Sequence, residues 1–118
     1  MKILLLEPGK TVREAEIDGS LESMQAVVGG LITAVYPYEE MVAVVANDEG
    51  LLMGMPLNRK LDDYTIIAGT FFLCGLSKDS FADLSPELME QFKRRLYNPH
   101  YFIKIGNEII ALPYELNE

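Results

Sequence analysis

The sequence predicts an α+β domain in which a mainly antiparallel sheet of hairpins carries two helices. Short apolar runs between turn residues predict the strands, and two capped segments with apolar residues at helical spacing predict the helices. The chain has 118 residues, of which 49% are hydrophobic, so it is long enough to bury one core. We therefore expect a single globular domain over residues 1–118.

The N-terminal part is predicted to be a hairpin followed by a helix. Residues 2–6 are apolar and end at the turn signal Glu7-Pro8-Gly9, and residues 11–17 alternate imperfectly as the returning strand. Ser20 can cap the helix that follows, and Gly29-Gly30 ends it.

Three strands and a loop are predicted in the middle of the chain. Residues 31–36 are rich in β-branched and aromatic residues. Residues 41–46 are predicted to pair with residues 51–53 through a four-residue turn. Residues 55–63 are predicted to be a loop, because they contain a proline, which cannot donate to a central strand, and several polar residues.

The C-terminal part is predicted to contain a buried strand, a helix and a hairpin. Residues 64–76 are almost wholly apolar, and Gly69 within them indicates a bulge or a close backbone approach. Ser85-Pro86-Glu87 is a helix start, with a capping serine and a proline at the first position. Residues 101–112 predict a hairpin with Gly106-Asn107 as its turn. The sum is two helices and about seven strands.

The chain is acidic, with 18 acidic and 10 basic residues and a net charge of -8. Between Arg13 and Arg59 there are eight acidic residues and no lysine or arginine. An ordinary acidic surface explains this pattern, and an acidic face for a basic partner is the alternative. The one basic cluster, Lys93-Arg94-Arg95, complements the end of the second helix, so we expect no direct nucleic-acid binding.

The common catalytic and metal-binding motifs do not occur in the sequence. One cysteine and one histidine cannot form a usual zinc site. Cys74 lies in an apolar run and is predicted to be a buried, inert thiol, and His100 is predicted to be a polar loop residue. The acid pairs 39–40, 48–49 and 62–63 could bind a metal, but acids in turns more often bond the local backbone. We therefore expect no catalytic residue, metal or cofactor.

The apolar runs also predict the compartment. None approaches the roughly 20 residues of a membrane-spanning helix, and residues 2–6 are too short for the core of a signal peptide. We expect a cytoplasmic protein without a membrane partner.

Asn58 and Arg59 are the residues we predict to bind a partner or ligand. Asn58 offers donors and an acceptor, and Arg59 offers a rigid fork for a carboxylate or phosphate. We expect both to be displayed at the end of a hairpin. In the alternative, Asn58 caps backbone groups and Arg59 pairs with Asp62 or Asp63.

Several short segments resemble, in order, the family known as domain of unknown function 3846. They are residues 4–10, 17–21, 28–32, 47–50, 57–59 and 67–71. Members of that family resemble cargo of phages, plasmids and conjugative elements of bacteria. The resemblance implies this setting and no activity, cofactor or catalytic residue, and it strengthens the interpretation of Asn58 and Arg59 as recognition residues.

Two functions follow as hypotheses. The leading one is a non-catalytic protein-interaction module carried by a phage or mobile element, which binds a protein partner or forms a homodimer through exposed strand edges. The alternative is a small-molecule or nucleotide-binding protein, or an enzyme, with Arg59 as an anion clamp beside Tyr36, Tyr38 or His100. That alternative needs a concave pocket, whereas an interaction module can be flat.

Overall fold

The computed structural model describes residues 1–62 and 65–113. Within these ranges it contains ten strands and two helices: β1 (Lys2–Leu6), β2 (Arg13–Glu16), α1 (Leu21–Val28), β3 (Ile32–Val35), β4 (Val42–Asn47), β5 (Leu57–Lys60), β6 (Ile66–Ala68), β7 (Phe71–Leu76), β8 (Phe81–Ala82), α2 (Pro86–Arg95), β9 (His100–Ile105) and β10 (Glu108–Pro113). Every pairing between these strands is antiparallel. The predicted class, α+β with mainly antiparallel sheet and two helices, is confirmed, with more strands than the seven or so predicted.

A six-stranded sheet forms the framework of the fold. Its order is β2-β1-β7-β4-β3, and β8 pairs with the end of β7. β7 lies at the centre because its sequence, FFLCGL, has no charged residue and can be buried on both faces. The predicted hairpin of β1 with β2 is confirmed, whereas the pairing of β7 with β1 and with β4 joins distant parts of the chain.

Each face of this sheet packs against one of the helices. On one face, α1 contributes Met24 and Val28 to a cluster with Ile3, Val45 and Phe72. On the other face, α2 and the β5–β6 pair enclose a larger cluster, whose members include Leu4, Leu6, Val44, Leu61, Ile67, Leu73, Leu84, Met89, Phe92 and Leu96. The sheet therefore lies between two layers, and its strands β4 and β7 are buried on both sides.

Both helices begin, and α1 also ends, where their capping residues predict, and α2 ends at Arg95. The Ser20 hydroxyl accepts a hydrogen bond of 3.0 Å from the Ser23 N–H, and Gly29 ends α1 with φ at 79°. The Ser85 hydroxyl accepts from the Leu88 N–H at 3.3 Å at the start of α2. No helix in the described part of the chain is long and apolar enough to cross a membrane.

The predicted pairing of residues 41–46 with residues 51–53 is wrong. β4 pairs with β3 and β7, and residues 51–53 belong to a turn. In that turn the Met53 N–H donates to the Glu49 carbonyl at 2.8 Å, and the Met55 N–H donates to the Gly50 carbonyl at 3.1 Å. The apolar run therefore does not join the sheet, and Leu52 is 86% exposed.

The segment from residue 55 to residue 76 also differs from the prediction. Residues 57–60 form β5 rather than a loop, and they pair with β6. The long predicted strand splits at Gly69 into β6 and β7, which lie in different sheets. The Gly69 N–H donates to the Pro56 carbonyl at 2.7 Å, and a Cβ at Gly69 would lie 2.7 Å from the Met55 sulfur. The predicted close approach at Gly69 is thus confirmed, and the continuous strand is wrong.

The C-terminal hairpin is confirmed as a separate two-stranded sheet of β9 and β10. Gly106 and Asn107 form its two-residue turn, with the φ of Gly106 at 60°. β9 lies beside β5, where the Lys60 N–H donates to Nδ1 of His100 at 3.3 Å. His100 is therefore the first residue of a strand rather than a loop residue.

Candidate functional site

Asn58 and Arg59 lie inside the protein. Both side chains belong to β5 and have an exposed fraction of 0%. The expectation that they are displayed at the end of a hairpin is wrong, because β5 packs between the connection from β1 to β2 and the end of α2.

The guanidinium of Arg59 makes five hydrogen bonds, as many as it has N–H groups. Nε donates to the carbonyl of Leu96 at 2.9 Å. Nη1 donates to the carbonyl of Glu7 at 3.3 Å and to Oδ1 of Asn58 at 2.7 Å. Nη2 donates to the carbonyl of Lys10 at 2.6 Å and to that of Tyr97 at 3.1 Å. None of these acceptors is a carboxylate. The arrangement leaves no N–H of Arg59 for a ligand.

Arg59 stabilises the end of α2. The carbonyls of Leu96 and Tyr97 follow the last turn of α2 and would otherwise lack helical partners. A cation at this position also interacts favourably with the negative end of the helix dipole. Burial lowers the pKa of Arg59 to about 10, so the side chain remains charged at neutral pH. The side chain thereby ties three segments of the chain together.

Asn58 joins β5 to the end of β1 and to Gly69, which precedes β7. Its Nδ2 donates to the carbonyl of Leu6 at 2.9 Å and to that of Gly69 at 2.8 Å. The structural alternative for Asn58, hydrogen bonding to backbone groups, is therefore confirmed. The alternative that Arg59 pairs with Asp62 is wrong, because Asp62 pairs with Arg95, whose Nε donates to Oδ2 of Asp62 at 2.8 Å. Asp63, the other predicted partner of Arg59, lies outside the described residues. A direct role of Asn58 and Arg59 in binding stays a prediction.

The groups suggested around Arg59 for an anion site lie in different places. Tyr36 lines a cleft of about 680 Å³ beside α1, together with Lys78. Tyr38 is buried, with its ring centroid 4.7 Å from that of Phe92. His100 accepts from the Lys60 N–H, and burial, Arg59 and Lys60 lower its pKa. The three residues therefore do not converge on one pocket.

Cys74 and the acidic residues were the other side chains considered for chemistry. Cys74 is buried in the sheet, which confirms its predicted burial, and this burial raises the pKa of its thiol to about 12. Among the described residues, no group of three or more histidine, cysteine or acidic side chains is placed to hold a metal ion.

One surface that the sequence analysis did not single out is an apolar face of the β9–β10 hairpin. The register places six side chains on this face, which we call the hairpin face: Tyr101, Ile103, Ile105, Glu108, Ile110 and Leu112. Ile105 is 60% exposed, and Tyr101, Ile103 and Leu112 are also exposed. The signal in the sequence was the apolar residue at every second position from Tyr101 to Ile105.

The comparisons with known proteins identify the family. The family described as Domain of unknown function (DUF3846) matches residues 1–97. The chain therefore belongs to this family, which confirms the resemblance seen in the sequence, and the match ends before β9. No curated protein matches the chain, and no solved structure does.

Proposed function

We propose that this protein is a non-catalytic protein-interaction module and that the hairpin face is its contact surface. The observation that carries the proposal is that five of the six side chains on this face are apolar, although most of them are exposed. A two-stranded hairpin is marginally stable in water when its apolar residues are left uncovered. Exposed apolar patches of this kind mark interaction sites.

The position of the hairpin supports this use. β9 and β10 form their own sheet, anchored beside β5 at the His100 end. The turn at Gly106 lies at the far end of the hairpin, because β9 continues for five residues beyond His100. An apolar surface at such a place is accessible to a second protein.

The charge of the chain supports an encounter with a basic partner. Eight acidic residues and no basic ones lie between Arg13 and Arg59, and the net charge is -8. Complementary charge accelerates association and suppresses wrong partners. We further propose that the partner is a protein of a bacterial host or of a phage or mobile element, as the family resemblance implies.

Two neighbouring residues on opposite faces of β9 provide the test. Tagged wild type, Ile105→Ser and Lys104→Ser are used to capture proteins from the lysate of a bacterial host, with mass spectrometry as the readout. We expect one protein to be retained by wild type and by Lys104→Ser and lost with Ile105→Ser. Circular dichroism establishes that all three are folded. Equal retention by Ile105→Ser, or no protein captured by wild type, contradicts the proposal.

The alternative function, small-molecule or nucleotide binding, is favoured by one observation. The cleft of about 680 Å³ is large enough for a small ligand and is lined by Lys78 and Tyr36. Arg59 does not line it. The test is the melting temperature with and without a nucleoside triphosphate. A rise in wild type that is absent in Lys78→Ala would favour this alternative.

A further inference from the structure

The two edges of the six-stranded sheet differ in how they are protected against strand addition. On β2, three of the four residues are charged, and Glu14 forms an ion pair of 3.0 Å with Lys93 of α2. Charged side chains on an edge strand disfavour pairing with another chain. The opposite edge, β3, has the sequence ITAV, with no charge and no proline. β3 therefore lacks the protection that β2 has.

The main-chain groups of β3 are oriented for pairing. The Asp48 N–H donates to the Leu31 carbonyl at 2.8 Å, which identifies these two residues as a hydrogen-bonded pair. Such pairs alternate along an antiparallel ladder, so Thr33 also bonds to β4. The N–H and carbonyl groups of Ile32 and Ala34 then point away from β4. Among the described residues no strand pairs with this edge.

An apolar cleft of about 410 Å³ runs beside this edge. Its lining includes Thr33 and Val35 of β3, Ile66 of β6, and the exposed residues Leu51 and Leu52. Leu52 has the largest exposed fraction of the exposed large apolar residues in the described part of the chain. The cleft therefore offers apolar contacts directly beside unpaired main-chain groups.

Among the described residues, the charged side chains that line the cleft are both acidic. They are Asp48 and Glu49, and no lysine or arginine is found with them in that part of the lining. An occupant with basic side chains would complement them.

We propose that the edge groove, which we define as the open edge of β3 with this cleft, binds an extended segment of another protein by strand addition. The segment has apolar residues at the alternate positions that face the cleft and basic residues beside them, at the end that reaches Asp48 and Glu49. Its main chain bonds to Ile32 and Ala34, and every second side chain enters the cleft. This site is independent of the hairpin face and goes beyond the proposed function.

A second copy of the chain fits the groove less well than a basic segment. A second copy would present its β3, whose sequence ITAV has no basic side chain, to the Asp48 and Glu49 that line the cleft. Each copy also carries a net charge of -8. Like charges brought together in this way oppose association.

The test uses synthetic peptides of about eight residues, long enough to cover the four residues of β3 with an overhang. In three labelled peptides, valine alternates with serine and the end that reaches Asp48 and Glu49 carries two lysines, two glutamates or two further serines; we call them the valine–lysine, valine–glutamate and valine–serine peptides, and binding is measured by fluorescence anisotropy. The protein variants are Ala34→Pro, which removes an outward N–H, and Ala34→Ser, which keeps it and is the matched control. Leu52→Ser is a second variant at an exposed side chain, where loss of folding is not expected.

The valine–lysine peptide is expected to bind wild type and Ala34→Ser, and to bind Ala34→Pro and Leu52→Ser at least about tenfold more weakly. The valine–glutamate peptide is expected to bind wild type at least about tenfold more weakly than the valine–lysine peptide. Three results overturn the proposal: no binding by wild type, equal binding by Ala34→Pro and Leu52→Ser, or self-association of wild type that Ala34→Pro abolishes. Because the hairpin-face variants are not used here, failure of this proposal leaves the proposed function separately testable.

Discussion

Replacing Arg59 with alanine is expected to destabilise the protein strongly, because the side chain is buried and makes five hydrogen bonds. Two of its acceptors, the Leu96 carbonyl and Oδ1 of Asn58, lie in fully buried contacts and cannot recover water. Each buried acceptor left without a partner costs about 1–3 kcal/mol. We therefore expect the free energy of unfolding to fall by about 4 kcal/mol.

A lysine at the same position is expected to destabilise the protein less. Lys keeps the charge at the end of α2 but presents its three donors from one nitrogen instead of five from a planar fork. The lysine can therefore reach only some of the four carbonyls that accept from Arg59, which are those of Glu7, Lys10, Leu96 and Tyr97. We expect Arg59→Lys to lower the free energy of unfolding by about 2 kcal/mol. This variant keeps the test valid if Arg59→Ala does not fold.

Urea unfolding followed by far-ultraviolet circular dichroism measures these changes. Arg94→Ala is the matched control, because Arg94 lies on α2 and is exposed, and we expect a change within about 0.5 kcal/mol. A loss of less than about 1 kcal/mol in both Arg59 variants would refute the structural role derived above. If such a stable variant also lost a protein partner, the predicted binding role of Arg59 would be correct instead.

Three further predictions concern Gly75, His100 and Cys74. A Cβ at Gly75 would clash with the backbone carbonyl of Asp83, so Gly75→Ala should lower the free energy of unfolding by about 1–3 kcal/mol in urea, and an unchanged midpoint would contradict this contact. The pKa of His100 is lowered by burial, then by Arg59 and Lys60, so the neutral form is favoured in the folded state. The contribution of neutral His100 to the free energy of unfolding is full above about pH 6.5 and is lost as the pH falls through the lowered pKa. We therefore expect the free energy of unfolding to fall more between about pH 7.5 and 5.5 in wild type than in His100→Gln, and equal falls would contradict this. Cys74 should not react with a thiol reagent at about pH 8 until urea unfolds the protein, and rapid labelling of the folded state would contradict its burial.

The parts of the fold that could be predicted from the sequence depend on local signals. Ser20 and Gly29 bound α1, Ser85 begins α2, and Gly106 forms a turn, all through bonds within a few residues. The positions of these elements follow from capping and turn chemistry alone. The order of the strands depends instead on pairings such as β1 with β7, which join residues far apart in the chain and leave no periodic signal.

Residues 51–53 show why an apolar run can mislead. Their composition favours a strand, but the hydrogen bonds from Met53 to Glu49 and from Met55 to Gly50 close a turn there. The signal in the sequence was Gly54, a second glycine only four residues after Gly50. In the structure Gly54 has φ at 69°, a conformation that favours glycine. Two of the exposed apolar side chains that result, Leu51 and Leu52, line the edge groove.

The candidate site shows the opposite error. Asn58 and Arg59 are polar, and polarity alone predicts exposure. Their burial depends on backbone carbonyls of Leu6, Glu7 and Leu96, which come from segments far away in the sequence. Only the tertiary structure brings those acceptors to β5, so the sequence could indicate that the two residues matter without indicating how.

The measurement that tests the proposed function most directly is site-specific photo-crosslinking in bacterial host cells. A photoreactive phenylalanine analogue replaces Ile105 on the hairpin face in one variant and Lys104 on the opposite face in another. The proposal predicts a covalent adduct of a single protein partner from position 105 and none from position 104. Adducts of equal yield from both positions, or none from position 105 while the protein is folded and expressed, would contradict it.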